Sequence, residues 1–253
     1  MKNPWLVTPK LRPNAQVKLI CFAYAGGGVS VYLPWANKLS DNVELNIVQL
    51  PGRGTNLLMQ PIDNMEELIL ALLPNVSHLL QGKYVIFGHS LGSRVGFELI
   101  RLAMSKGFGA PWHFFASGSA SPKAERLEHK IHLLADEAFI EELEKYNGTP
   151  KEVLQCAELM ELLLPTLRAD FKIAEQYCCK QAFKIPAGVT VLFGKEDNIS
   201  MEKLKPWGDF FADLELTMCD GGHFFIDTHR QQVLDVVNKK IASANPNIVE
   251  AEY

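Results

Sequence analysis

Tyr84-Val85-Ile86-Phe87-Gly88-His89-Ser90-Leu91-Gly92 is the stretch that decides how this chain folds. Its four leading apolar residues suit a buried strand, and residues 93–104 carry a helical pattern. Between them lies a Gly-x-Ser-x-Gly turn with Ser90 at its tip. A serine pushed out of so sharp a strand-to-helix turn takes a strained backbone conformation, and side chains on its neighbours would clash. The turn also aims the first free N–H groups of the new helix at whatever bonds to the serine. Such an elbow presents a nucleophile. The same five letters fit a plain structural turn, so a base, an acid and oxyanion donors must come from elsewhere in the chain.

The 253 residues are 47% hydrophobic and 21% charged. That is an ordinary globular composition, enough for one α/β domain spanning residues 1–253 and too little for a second independent one. A net charge of −4 gives no electrostatic footprint for nucleic acid or an anionic membrane. Met1-Lys2-Asn3-Pro4-Trp5 lacks the apolar core of a signal peptide, and no apolar stretch reaches the ~20 residues that span a bilayer. Cys21, Cys156, Cys178, Cys179 and Cys219 form no Cys-x-x-Cys pair, which suggests reduced thiols in a cytoplasmic protein. Nothing marks an interface, so a monomer is expected. No repeat or low-complexity segment is present.

Short apolar runs alternate with helical patterns, which predicts a mostly parallel sheet with helices on both faces. Strands are expected over 18–24, 43–50, 84–87, 113–116, 188–193 and 214–218. Helices are expected over 31–39, 64–80 with Asp63 as N-cap, 93–104 and 224–241. Pro74 should kink or split the second of these, and the tail from Asn245 should fray. One stretch breaks the alternation. Residues 127–180, from Leu127 to Lys180, carry helical pattern only, over 135–145, 152–163 and 166–178. The first of these helices is stopped by Asn147-Gly148-Thr149-Pro150. A helical insertion between two strands reads as a lid. Its leucines (Leu154, Leu159, Leu162, Leu163, Leu164, Leu167) exceed what an exposed excursion needs. Most should pack the insertion onto the sheet, and some should line a channel.

A serine hydroxyl is a weak nucleophile at neutral pH and needs a base, for which histidine is the usual choice. Of seven histidines, His223 stands out. It follows the last strand in Asp220-Gly221-Gly222-His223-Phe224-Phe225, at the sheet edge where catalytic groups of α/β folds gather. His89 lies in the elbow and points away if Ser90 points in. His129 and His132 have the spacing of a two-ligand metal pair, but no third ligand stands out, and both read as solvated. His78, His113 and His229 lie in or beside regular elements. The acid should fall between serine and histidine in chain order. No carboxylate follows the 113–116 strand before Glu125. The next strand ends in Gly194-Lys195-Glu196-Asp197-Asn198, so Asp197 is the candidate and Glu196 the runner-up. Asp220 is too close to His223. The oxyanion hole needs two backbone donors. One is the N–H of Leu91. The other is assigned to Ala25, in the loop Tyr24-Ala25-Gly26-Gly27-Gly28 after the first strand. Those glycines match neither a Walker A loop nor Gly-x-Gly-x-x-Gly.

The ordered segments resemble a type II thioesterase, the stand-alone editing enzyme of non-ribosomal peptide and polyketide synthases. They are Cys21-Phe22-Ala23-Tyr24-Ala25-Gly26-Gly27, Val48-Gln49-Leu50-Pro51-Gly52-Arg53-Gly54, Phe87-Gly88-His89-Ser90-Leu91-Gly92-Ser93 and Phe97-Glu98-Leu99. Ser117-Gly118 with Pro122, Leu163-Leu164-Pro165-Thr166-Leu167-Arg168-Ala169-Asp170-Phe171, and Gly221-Gly222-His223-Phe224-Phe225 complete the set. Many hydrolases share the elbow and the histidine loop. The Pro51 and Leu163 segments are more specific. Tyr24 departs from the His or Phe common in that family, and Thr55-Asn56 from its usual Arg, which bears on substrate preference. The resemblance implies an α/β-hydrolase fold and a Ser90–His223–Asp197 triad. The implied substrate is an acyl or aminoacyl thioester on the phosphopantetheine arm of a carrier protein, a transient partner. No metal or cofactor is implied, because a thiolate leaves readily. Rival readings are a medium-chain thioesterase ending fatty acid synthesis, a general carboxylesterase, and a catalytically dead hydrolase fold used for binding.

Overall fold

The computed structural model describes residues 3–124, 130–146, 148–179, 181 and 183–243. Its strands are β1 (Leu6–Val7), β2 (Val17–Phe22), β3 (Val43–Val48), β4 (Tyr84–His89), β5 (His113–Ser117), β6 (Ile185–Gly194) and β7 (Phe211–Cys219). They form one sheet in the order β1-β3-β2-β4-β5-β6-β7. All neighbours run parallel except β1, whose Leu6 and Val7 pair antiparallel with Val48 and Ile47. This is the expected α/β-hydrolase layout. β1 lies outside the strands expected from the sequence, because its two residues are too few to leave a period.

The central strands β2, β4 and β5 are buried on both faces because their alternate residues enter two different cores, whereas the edge strand β7 leaves one face open to solvent. In β4, Tyr84 and Ile86 enter one core while Val85 and Phe87 enter the other. Helices α1 (Met65–Val76) and α2 (Leu91–Ser105) cover the first face through Leu68, Leu72, Val95 and Leu99. On that side also lie α6 (Met201–Leu204) and Trp207. The second face is covered by α7 (Phe225–Thr228) and α8 (Arg230–Ser243), with Tyr32 and Trp35. Burying each such large side chain contributes about 1.5–3 kcal/mol.

Between β5 and β6 lie α3 (Asp136–Tyr146), α4 (Lys151–Leu154) and α5 (Ala157–Gln176). They enclose a third, smaller core of Ile131, Phe139, Leu143, Leu154, Met160 and Leu167. Leu159 and Leu162 are instead exposed. The helices expected over 152–163 and 166–178 are one, because α5 runs through Pro165. A mid-helix proline loses one backbone bond. Here Thr166 Oγ1 donates to the Gly52 carbonyl at 2.7 Å, anchoring the helix beside the break.

Other boundaries move for local reasons. The helix expected over 31–39 is two 3₁₀ turns, Val29–Val31 and Leu33–Trp35. Tyr32 and Trp35 are three apart, the 3₁₀ period, and both are buried. Asn64, not Asp63, caps α1, accepting from the Glu67 N–H at 3.1 Å, while Asp63 pairs with Lys172. Pro74 remains inside α1, which ends at Val76 and continues as a 3₁₀ turn over Ser77–Leu79. The closing helix breaks at His229 into α7 and α8. Met1, Glu125, Leu127, His129, Asn147, Lys180 and the tail from Asn245 lie outside the described residues. Among the described residues no helix is long and apolar enough to cross a membrane. No group of three His, Cys, Asp or Glu is placed there to hold a metal ion.

Candidate active site

β4 ends at His89 and α2 starts at Leu91, leaving Ser90 as the whole turn. Its φ of 53° and ψ of −118° make it the one non-glycine with positive φ among the described residues. Three contacts hold the strain. The Ser90 N–H donates to the Ser117 carbonyl at 2.7 Å. The Ser90 carbonyl accepts from the Ser93 N–H at 3.1 Å, and Ser93 Oγ donates to the Gly88 carbonyl at 2.7 Å. The flanking glycines are needed for space. A Cβ on Gly88 would lie 2.4 Å from the Gly92 carbonyl carbon, and one on Gly92 would lie 2.2 Å from the Phe22 oxygen. A side chain at Gly88 would push β4 off the start of α2, and one at Gly92 would push the elbow off the end of β2.

The loops after β6 and β7 bring Asp197 and His223 to this serine. His223 Nδ1 is 2.9 Å from Asp197 Oδ2, and its Nε2 is 3.0 Å from Ser90 Oγ. A carboxylate only accepts, so Nδ1 carries the proton and Nε2 is left to accept from the serine hydroxyl. Glu196 is exposed and does other work, since its N–H donates to the Gly221 carbonyl at 3.0 Å, bracing the histidine loop.

His89 braces the same loop from beneath. Its Nε2 is 2.9 Å from the His223 carbonyl and its Nδ1 is 2.8 Å from Ser117 Oγ. A carbonyl only accepts, so Nε2 carries the proton and Ser117 donates to Nδ1. Complete burial, then the nearby His223, push the His89 pKa well below its ordinary value and keep it neutral.

The loop after β2 is pinned on both sides of Ala25. Tyr24 Oη donates to Asp227 Oδ2 at 2.9 Å. Burial, then Asp227, hold this phenol far above its ordinary range, so it stays a donor. The Gly26 N–H donates to Asp170 Oδ2 at 2.7 Å. Ala25 and Leu91 line the same pocket as Ser90 and His223. Leu91 opens α2, so its N–H has no partner one turn back in the helix.

That pocket has a volume of about 230 Å³. Its apolar wall is Leu143, Tyr146, Leu167, Phe171, Ala174 and Phe224, drawn largely from α3 and α5. Arg94 and Glu175 also border it. Arg94 Nη1 donates to the Ala174 carbonyl at 2.5 Å. Glu175 accepts from the Ile131 N–H at 3.0 Å and from His132 Nδ1. His132 is therefore buried, not solvated as the sequence suggested. Its partner lies 43 residues away, beyond any local pattern. His113 is buried in β5 against Thr190, His78 sits in a 3₁₀ turn, and His229 lies between α7 and α8.

Arg53 pairs with Asp170, 117 residues away, a contact that no sequence pattern marks. Both residues stood in segments marked by resemblance, but nothing in either segment names the other. The thioesterase domain model matches residues 17–241, all of the sheet except β1 together with the elbow and both loops. The chain belongs to the thioesterase domain family. As a thioesterase it is an enzyme that hydrolyses thioesters. Gramicidin S biosynthesis protein GrsT of Aneurinibacillus migulanus is 33% identical over 241 residues, covering 94% of each chain. Among solved structures the thioesterase is similar to ClbQ from the colibactin NRPS/PKS pathway. The TM-score is 0.86 at 33% identity, over 91% of this chain and 98% of that one. It is also similar to the type II thioesterase BorB from the borrelidin biosynthetic cluster. There the TM-score is 0.84 at 29% identity, over 93% of this chain and 96% of the other. The type II resemblance read from the sequence is borne out.

Proposed function

We propose that this thioesterase clears acyl or aminoacyl groups from the phosphopantetheine arm of a carrier protein in a non-ribosomal peptide or polyketide assembly line. Ser90 Oγ attacks the thioester carbonyl as its proton passes to His223 Nε2. Asp197 fixes the imidazole and stabilises its cation. The N–H groups of Ala25 and Leu91 take the oxyanion, each donor contributing about 10²–10³-fold in rate. The carbon–sulfur bond breaks, His223 protonates the departing pantetheine sulfur, and an acyl-Ser90 ester remains. Water, deprotonated by His223, then releases the acid and restores the serine. A thiolate leaves readily, so no step calls for a metal or cofactor.

The observation that carries this reading is His223 bridging Asp197 at 2.9 Å and Ser90 at 3.0 Å beside an apolar pocket. The pocket's volume of about 230 Å³ supports an editing role. It falls below the ~300–1,000 Å³ typical of pockets for larger ligands, which suits a short acyl group better than a finished peptide. In this reading the chain works as one unit, a cytoplasmic monomer with the carrier as transient partner. Five unbridged cysteines support a reducing compartment. The insertion carrying α3 to α5 serves as a lid, and its separate core supports that role. A crosslink from α5 to the sheet should then slow turnover of carrier-bound substrate.

Hydrolysis of acetyl, octanoyl and aminoacyl groups on a carrier protein, with wild type and Ser90→Ala, tests the proposal. Cleavage of short and mixed groups, lost in the variant, is expected. Cleavage of octanoyl alone would move the enzyme to fatty acid chain release. Activity confined to oxygen esters would overturn the proposal.

A further inference from the structure

We infer that Arg53 and Asp170 are positioning residues that set the oxyanion hole and tie it to α5, an inference that rests on Ala25 being one of the two donors. The pair is nearly sealed from water, with side chains 10% and 3% exposed. Arg53 Nη1 and Nη2 donate to the two Asp170 oxygens, each at 2.8 Å, in a two-pronged fork. Such a fork fixes both distance and angle, which a single lysine bond cannot do.

Two facts give the pair a task beyond holding the fold. First, beyond one long bond from Arg53 Nε to the Pro51 carbonyl at 3.4 Å, its other side-chain bonds go to the oxyanion loop itself. Asp170 Oδ2 accepts the Gly26 N–H at 2.7 Å, and Arg53 Nη1 donates to the Gly27 carbonyl at 3.0 Å. The peptide unit just after Ala25 and the one after Gly27 are thereby held, which restricts the backbone that carries the Ala25 N–H. Gly26 has φ of +74°, and a Cβ there would lie 2.6 Å from Leu167 Cδ2, so the loop is also wedged sterically against α5. Second, α5 holds two adjacent faces in register. Thr166 and Asp170, one turn apart, grip the Gly52–Arg53 loop and the oxyanion loop. Leu167, Phe171 and Ala174 form the pocket wall. A shift of α5 that empties the pocket therefore also releases the oxyanion loop. The donor is aligned only when the helix that walls the acyl group is seated.

The test uses an acetyl thioester of N-acetylcysteamine, which needs no carrier, with wild type, Asp170→Asn, Arg53→Lys and Ala25→Pro. Asp170→Asn should lower kcat about 100-fold, the scale of a misplaced catalytic group. KM should stay within about twofold of wild type, because the donor acts on the transition state. The midpoint of the pH profile of kcat/KM should not move, because the triad is untouched. Arg53→Lys, which keeps charge but loses the fork, should fall between wild type and Asp170→Asn. If Asp170→Asn does not fold, Arg53→Lys decides. Folded variants with kcat within about twofold of wild type would overturn the inference, and so would a rise in KM alone. Ala25→Pro separates the two claims. If it lowers kcat while both pair variants match wild type, the donor stands and the positioning role fails. If it matches wild type, the donor reading fails and this inference with it.

Discussion

Two histidine–carboxylate pairs in this thioesterase use the same groups for opposite ends. His223 meets Asp197 and His132 meets Glu175, each through Nδ1. The difference lies at the far nitrogen. His223 Nε2 faces Ser90 Oγ at 3.0 Å, and the ring is 28% exposed toward the pocket. His132 Nε2 faces the side-chain amide of Gln176 at 3.3 Å, and the ring is only 5% exposed. A carboxylate orients an imidazole in both places. Only a nucleophile and an opening to substrate let that imidazole act as a base. The His132 pair instead rivets the Ile131–Leu133 turn to α5, with Arg168 Nη1 donating to the His132 carbonyl at 2.8 Å.

The sharpest way to break this contrast is to remove what distinguishes the sites. Ser90→Ala should lower kcat by on the order of 10⁶, with an unchanged melting temperature. Measured thioester turnover above about one per cent in that variant would dissolve the contrast. Asp197→Asn should lower kcat about 10⁴-fold by favouring the wrong imidazole tautomer. Glu196→Gln should stay near wild type. The reverse order would hand the acid role to Glu196.

His132→Ala should do the opposite. Its kcat should remain within a few-fold of wild type, while urea unfolding shows a loss of about 1–3 kcal/mol as the buried Glu175 carboxylate loses its imidazole donor and keeps only the Ile131 N–H. A large kcat loss at unchanged stability would mean that the two pairs are not different in kind.

A pH-dependent effect concerns two histidines that pair with no carboxylate in this way. Burial lowers His113 from 6.5 to about 4, and His89 is lowered by burial too. Their folded values lie below their unfolded ones, so the unfolded chain binds more protons as pH falls. Stability should therefore decline below pH 6.5, by at most about 1.4 kcal/mol per pH unit for each histidine. For His113 the decline ends near pH 4. His113→Gln should flatten the slope between those limits in urea titrations, and an unaltered slope would count against a neutral buried His113.

The same contrast explains what the sequence could tell. Ser90, Asp197 and His223 were legible as candidates because each stands at the end of a strand, in a loop whose glycines or acids mark it locally. The parallel sheet was legible because its apolar runs are bounded by turns. The rest depends on partners far apart in the chain. Arg53 and Asp170 are 117 residues apart, and His132 and Glu175 are 43 apart. No period or spacing joins them. Pro165 reads as a break, yet α5 continues because tertiary bonds at Thr166 and Asp170 outweigh one lost backbone bond. Asp63 reads as the cap of α1, yet Asn64 takes that place and Asp63 pairs with Lys172 on another helix.

The central claim is that Ser90 carries the acyl group because His223 and Asp197 are assembled on it. Intact-mass analysis of His223→Ala and wild type after a brief reaction with an octanoyl thioester, followed by peptide mapping, tests this most directly. One acyl group per wild-type chain, on the peptide containing Ser90 and absent from Ser90→Ala, is the predicted result, with far slower acylation in His223→Ala. Acylation mapping to a cysteine, or turnover with no acyl-enzyme while Ser90→Ala remains active, would contradict it.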